Sequence, residues 1–433
     1  MKNVRKMAVS YAVILFECTV LAIFWAVGAP AHAQDPESVV SPPAQEVPVQ
    51  SGAAITVFKV DGLKKTRDSY VQHVLKKYSG VLEDELDLHV IETELQNEGL
   101  FSFINVALEH DESDAPFVHI TVKEKWTFIP VPFFMVSNGS VMGGGVVMDT
   151  NAFGIKDSVM VGGIFSKESL MGMAAFSTPT LEHKPGISFF GSFTHGTGKT
   201  IRNLDDDDVF LYDINNVNVS VSMNCKFNRV FSGSIGAGYV CKDIGSEAPS
   251  LDSYHAGNIQ AGLSFKVSDW NGYFMSGISC AVNGKATYKS TNEFSETISF
   301  SIDWQKPIVP RFRVFAHGAT WYGHNLDQTE YQGAYGVGIG ILPSKFYSPW
   351  LAGMTAGGEW VIVKMKLGII SMYAQYEAVF ARDYEKSVEF CHGPLGGVKL
   401  YLSSIAFPAL GFAIGYNIPK EQLQFTFSFG MSL

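Results

Sequence analysis

The 433-residue chain is 46% hydrophobic and 13% aromatic but only 17% charged, well below the roughly 25% charge usual in soluble domains. Beyond residue 33 it has no run of about 18 apolar residues, the length a membrane-spanning helix needs, so only strands could carry it across a bilayer. The formal net charge of −10, with no basic patch interleaved with aromatic residues, argues against nucleic acid as a partner.

At the N-terminus, Lys2, Arg5 and Lys6 precede an apolar stretch from Met7 to Gly28 and the triplet Ala31-His32-Ala33. This is the layout of a secretory signal peptide over residues 1–33. Residues 34–52 carry Pro36, Pro42, Pro43 and Pro48 with little to bury, and read as an extended linker. A small folded unit is expected over 53–126. In it, "ITVFKVDG" (Ile55 to Gly62) alternates like a strand, and Thr66 is placed to cap the helix that follows. Val71, Val74, Leu75 and Tyr78 recur at helical spacing, as do Leu88, Ile91 and Leu95 in a second helix ending at Gly99. Two strand-like pieces, Phe103 to His110 and Phe117 to Glu124, flank the turn-rich "DESDAP". The expected order is βααββ.

Gly99 lets the chain turn sharply out of the second helix, while Leu100 and Phe101 are set to drop between helices and sheet. With Val122 and Glu124 at the end of the last strand, "ELQNEGLFSFINVALEH" and "VHITVKEKW" resemble the second half of a polypeptide-transport-associated (POTRA) domain. Its pattern is helix, Gly-Leu-Phe, strand, turn, and a strand ending in Val-x-Glu. All five residues are given packing roles, and none is a catalytic group.

From Trp126 to Leu433 the texture changes to alternating segments of about 8 to 13 residues, separated by Gly, Asn, Asp, Ser, Pro or Lys clusters. Ser140 to Met148, Asp157 to Phe165, Ile187 to Thr194, Val217 to Phe227 and Arg229 to Cys241 are examples. Asn271 to Val282, Arg311 to Trp321, Gly333 to Leu342, Lys366 to Phe380 and Gly393 to Leu402 continue the series. The repeat predicts a transmembrane barrel over 127–433 with about 16 antiparallel strands. A barrel leaves no backbone edge unpaired in lipid, which accounts for the alternation Leu423, Phe425, Phe427, Phe429 in a closing strand with the three Phe on the lipid side. Cys225, Cys241, Cys280 and Cys391 lack metal-ligand spacing; isolated small wall residues are favoured over a Cys225–Cys241 disulfide. "GTGKT" (Gly196 to Thr200) has Phe193 where a phosphate-binding loop needs Gly. With no HExxH, GxSxG or triad order, the chain is expected not to be an enzyme, and no cofactor or metal is expected.

One POTRA-like domain followed by a barrel resembles the superfamily of outer-membrane barrel-assembly and two-partner-secretion proteins, of bacterial surface antigen type. "NAFG" (Asn151 to Gly154), Glu359 in "GGEW" and Asp383 in "VFARD" are further echoes in the expected order. The resemblance implies an outer-membrane barrel with its POTRA-like domain in the periplasm, inserting or exporting polypeptides by β-augmentation at the domain edge and at the seam between first and last barrel strands. The implied partners are the outer-membrane lipid bilayer and unfolded or extended polypeptide clients, with periplasmic chaperones or accessory assembly proteins. A luminal loop lock is also implied, normally an Arg-Gly-aromatic motif facing acidic wall residues. Here the loop reads "LPSKFYSPW" with no Arg or Gly, so Lys345 with Phe346 or Tyr347 is the nearest substitute, facing Glu359 and Asp383. The expected seam pairs a Gly-rich first strand, Gly143, Gly144 and Gly145, with Phe425, Phe427 and Phe429. The rival readings are a passive channel or surface antigen, and a lipid transporter.

Overall fold

The computed structural model describes residues 53–137, 140–167, 169–181, 184–201, 204, 209–245, 252–271, 274–343, 346–365, 368–383, 387–402 and 408–429. The expected signal peptide and Pro-rich linker lie outside these residues, as does Lys345.

Residues 53–124 form an α+β module. Strand β1 (Phe58–Asp61) is followed by helices α1 (Asp68–Leu75) and α2 (Leu88–Asn97), then by β2 (Phe101–His110) and β3 (Pro116–Glu124). The sheet order is β1-β3-β2, with β1 parallel and β2 antiparallel to the central strand. Val71, Leu75, Ile91 and Leu95 face this sheet from the helices and bury against Val118, Ile120 and Val122. Gly99, at φ +74°, reverses the chain after α2, which delivers Leu100 and Phe101 into that core. Thr66 does not cap α1. Arg67 holds the cap position without a side-chain bond; the Thr66 hydroxyl oxygen accepts from the Asn151 side-chain amide at 2.9 Å instead, and the Thr66 N–H donates to Glu124 at 2.8 Å. Glu124 also accepts the Lys65 N–H at 2.9 Å. Although burial opposes its ionisation, these amides hold its carboxyl below the usual range.

His119, on the central strand, bridges both neighbours: its ring nitrogens lie 2.8 Å from Glu109 on β2 and 2.8 Å from Asp61 on β1. The Glu109 bond, then the Asp61 bond, raises the imidazole pKa. A raised folded-state pKa gives stabilisation that is complete below the unfolded value, about 6.5, and is lost as pH rises through the folded value. The urea midpoint for protease protection of residues 53–124 is therefore expected to fall as pH rises from 6 towards 8, as about one proton's linkage. His119→Asn should flatten that dependence. An unchanged slope in the variant would remove His119 as its source.

The module is tied to the barrel by its α1-side loop. Lys65 Nζ bonds Asp149 at 2.6 Å and Thr127 Oγ1 at 3.0 Å, and Lys156 bonds Glu98 at 2.7 Å. Between them sits "NAFG". The buried Asn151 donates to Thr66 Oγ1 at 2.9 Å, and the Gly154 carbonyl accepts the Arg67 N–H at 2.8 Å. Gly154 has φ +81°, and a Cβ there would lie 2.3 Å from the Lys65 carbonyl oxygen. Only glycine fits this approach.

The barrel opens with β4 (Phe128–Ser137), β5 (Ser140–Asp149), β6 (Ser158–Ser166), β7 (Ser169–Ser177) and β8 (Gly186–Ile201). It continues with β9 (Val209–Lys226), β10 (Phe231–Ile244), β11 (Tyr254–Asn271), β12 (Phe274–Lys289), β13 (Phe294–Val309) and β14 (Phe312–His324). A long loop holds two short strands, β15 (Gln332–Gly333) and β16 (Tyr347–Ser348). The wall resumes with β17 (Trp350–Met365), β18 (Gly368–Arg382), β19 (Val388–Leu402), β20 (Pro408–Asn417) and β21 (Gln422–Phe429). Each wall strand pairs with the next, and β21 pairs with β4, closing a barrel of sixteen antiparallel strands among the described residues.

Alternation sets which side chains face outward. On β9, Val217, Val219, Val221 and Met223 are all exposed, while Asn218, Ser220, Ser222 and Asn224 alternate with them on the inner face. The same outward series continues through Ile259 and Leu263 on β11, Ile298 and Trp304 on β13, Met354 and Trp360 on β17, and Phe380 and Phe390 on β18 and β19. An apolar surface that encircles the molecule is stable only against lipid, so the wall is transmembrane. Phe425 belongs to this outer face, whereas its neighbour Gln424 is buried inside. The side chains of Phe427 and Phe429 lie outside those described. Cys225, Cys241 and Cys280 are free thiols. Cys225 sits opposite Gly233 and Cys241 opposite Val217, at the two ends of the β9–β10 ladder, far beyond disulfide reach.

Two expectations need correction. Gly333 to Leu342 is not a wall strand: Ala334–Val337 is a 3₁₀ turn and the rest belongs to the long loop. The first wall strand is β4, not the Gly-rich segment, because Phe128–Ser137 forms a full ladder on β5 despite Pro130 and Pro132.

Candidate functional site

The loop between β14 and β17, residues 325–349, folds into the lumen. Its root is held by charge. Asp327 and Glu330 form a capping box on a 3₁₀ turn, Gln328–Glu330. Lys289 of β12, buried, reaches across to Glu330 at 2.6 Å and Asp327 at 3.3 Å, and Lys242 of β10 donates to Thr329 Oγ1 at 2.6 Å. The Tyr254 ring lies 4.7 Å from the Lys289 ammonium and 5.2 Å from that of Lys242. One loop segment is thereby fastened to two wall strands through three hydrogen bonds from desolvated ammonium groups, both of them backed by the Tyr254 ring of β11.

Deeper in the lumen the loop is apolar. Val337, Ile339, Ile341, Leu342 and Phe346 are buried against Ala319, Leu351, Val379, Ala381 and Leu395 of β14, β17, β18 and β19. The intervening glycines set the distance. A Cβ on Gly338 would lie 2.7 Å from His317 Nε2, and one on Gly340 would lie 2.7 Å from Leu395 Cδ1. Gly353 on the facing wall is equally tight against Ile339 Cγ1, at 2.7 Å. Glu377, on β18 and fully buried, closes the contact: its carboxylate accepts the N–H groups of Gly340 and Ile341 at 2.8 and 3.0 Å and the Gln375 side-chain amide at 2.6 Å. Ser348 is pinned as well, its hydroxyl accepting the Arg382 N–H of β18 at 3.2 Å. A wall carboxylate thus grips loop backbone, the reverse of a loop cation reaching a wall carboxylate.

Of the residues predicted for the lock, Phe346 is fully buried in the loop core, and Tyr347 lies exposed on β16 with its ring over Gly333. Lys345 lies outside the described residues. Glu359 is fully buried, but its cation is Arg313 of β14, whose Nη2 and Nε lie 2.5 and 3.1 Å from Oε2. The ladder places Arg313 directly opposite Glu359, and Ser371 and Tyr401 donate to the other oxygen at 2.6 and 2.9 Å. Asp383 serves the β18–β19 turn, where its carboxylate accepts the Ser387 N–H at 2.6 Å. Glu377 went unnoticed in the sequence, since "AQYEAVF" differs from other inward Glu-containing strands only by what faces it.

The seam also differs from expectation. Gly143, Gly144 and Gly145 lie on β5, one strand away from the closure. Their small size serves the β5–β6 approach: a Cβ on Gly144 would lie 2.1 Å from the Gly163 carbonyl oxygen. At the closure itself, β21 and β4 share four registered pairs among the described residues, Thr426 to Ser137 through Phe429 to Phe134. Pro130 and Pro132 stand in the β4–β5 ladder opposite Val147 and Gly145. A proline fits such a ladder only with its nitrogen turned to the other side, so the β4 edge facing the seam lacks two N–H donors.

No protein-family model and no curated protein matches the sequence. Solved structures share the fold, among them these three. BamA from Haemophilus ducreyi, crystallised without POTRA domains 1–3, superposes with a TM-score of 0.55 at 13% identity, covering 88% of this chain and 85% of that one. CdiB from Escherichia coli gives 0.59 at 14% identity, with 88% and 77% covered. CdiB from Acinetobacter baumannii gives 0.61 at 10% identity, with 88% and 74% covered.

Proposed function

We propose that this chain, which has the barrel fold of BamA and CdiB, is an outer-membrane factor that inserts or exports polypeptides, with its α+β module acting as a POTRA-like domain in the periplasm. The observation that carries the reading is the closing strand β4, whose Pro130 and Pro132 leave its seam-facing edge short of N–H donors. A ladder that lacks donors on one edge costs less to open, and the freed edges can template a client strand by β-augmentation. The module adds a second edge: β2 is the outer strand of its sheet, free on one side from Phe103 to His110. No catalytic group is required, because client folding supplies the free energy.

The rival reading of a passive channel is disfavoured by the apolar loop seated in the lumen. Protein reconstituted in liposomes is expected to accelerate folding of an added barrel client. Met135→Cys with Ser428→Cys, a registered seam pair, should abolish the acceleration when oxidised and restore it on reduction. Steady ion conductance with no client effect would instead favour the channel, and transfer of a fluorescent lipid without client folding would favour the lipid transporter.

A further inference from the structure

At the module-side end of the barrel, a cavity of about 500 Å³ opens on the inner wall of β9 to β12 and extends to Asn97 at the end of α2. Lys226, Arg229 and Lys266 line it, and among the described residues no Asp or Glu does. All three cations are exposed, and among the described residues none takes part in an ion pair or side-chain hydrogen bond. Two other cations inside the barrel are matched: Arg313 by Glu359, and Lys289 by Glu330 and Asp327. Three unmatched like charges around one cavity repel one another, and they create a focused positive potential that an incoming anion would neutralise.

The remaining lining indicates what kind of anion. Ser232 and Ser234 on β10, Ser264 on β11 and Asn283 on β12 present hydroxyls and amides in rows along neighbouring strands. Such rows suit the alternating donors and acceptors of an extended backbone. A lipid would have to lay its acyl chains along strand positions that are mainly Ser and Asn, with apolar side chains such as Met275 and Leu263 interspersed, where they gain little apolar burial. Resting on the polypeptide-handling function above, we propose that this cavity is the entry subsite for client polypeptides and selects extended segments rich in Asp and Glu as they pass from the module into the lumen.

The test uses the full chain in detergent and fluorescein-labelled peptides of equal length in which Glu alternates with Ser, together with Gln-Ser and Lys-Ser controls, read by anisotropy. The Glu peptide is expected to bind at least about tenfold more tightly than either control, and its affinity should fall with salt as the Debye length shrinks below about 8 Å. Replacing Lys226, Arg229 and Lys266 together by Glu should remove the preference. Lys285→Glu, one inward position beyond Asn283 on β12, should retain it. A heat-shifted gel band verifies that each variant is folded; should the triple variant lack it, Lys226→Gln with Lys266→Gln is expected to lose about threefold. Equal binding of Glu and Gln peptides overturns the proposal, as does a preference that survives these substitutions. Displacement by low-millimolar inorganic phosphate together with absence of peptide selectivity overturns it in favour of a phosphate-bearing ligand. Because the seam assay is read by client folding, loss of peptide selectivity with folding intact would sink this subsite alone.

Discussion

Glu359→Ala is expected to destabilise the barrel by about 3 kcal/mol, at the lower end of what removal of one member of a buried ion pair costs. The lower end applies because Arg313, with 17% of its side chain exposed, keeps some access to luminal water. The loss has two parts. Arg313 would retain Gln305, at 2.5 Å, and the ring of Phe274, at 4.8 Å from its guanidinium carbon, but no carboxylate. Ser371 and Tyr401 would each lose an acceptor in a site with little water. The measurement is the urea midpoint of the heat-shifted gel band. Replacing Glu359 and Arg313 together by Met should cost less than Glu359→Ala alone, because no unmatched charge remains. A single-variant loss below about 1 kcal/mol would mean that the pair is no more than a screened surface contact.

How much of this site could be read from sequence depends on whether a residue's role was local. Gly99, Leu100 and Phe101 follow a helix directly, and their turning and packing roles needed only the order of neighbouring elements. The alternation of β9 and β10 was equally legible, because period 2 is a property of one strand at a time. "GVGIGIL" misled for the same reason. It alternates because loop glycines must pass His317 and Leu395 while Val337, Ile339 and Ile341 fill the space between, not because it lines a wall. Strand β4 was overlooked because Pro130 and Pro132 break the expected pattern, yet these prolines locate the closure better than the glycines do. Pairings across long gaps were out of reach. Arg313 meets Glu359 only once β14 and β17 are neighbours across the 325–349 loop.

The grip on that loop leads to the second large effect. Glu377→Ala removes the acceptor for two backbone amides and the Gln375 side chain, and hydrogen bonds to a charged group contribute about 1.5–3 kcal/mol each. Their loss should release the segment around Gly340 and Ile341 while leaving the root at Lys289 and Lys242 fastened. The barrel would then stay folded with its lumen partly cleared. Planar-bilayer recordings are expected to show larger and longer openings than the unaltered protein, together with new protease cleavage between residues 334 and 346. Glu377→Gln keeps an acceptor for the amides but loses the charge, so its conductance should fall between the two. Lys289→Met acts at the root and is expected to shift the whole loop, with cleavage extending back to residue 325. If Glu377→Ala conducts and resists protease as the unaltered protein does, the apolar packing of Ile339, Ile341 and Phe346 alone holds the loop, and the carboxylate grip is incidental.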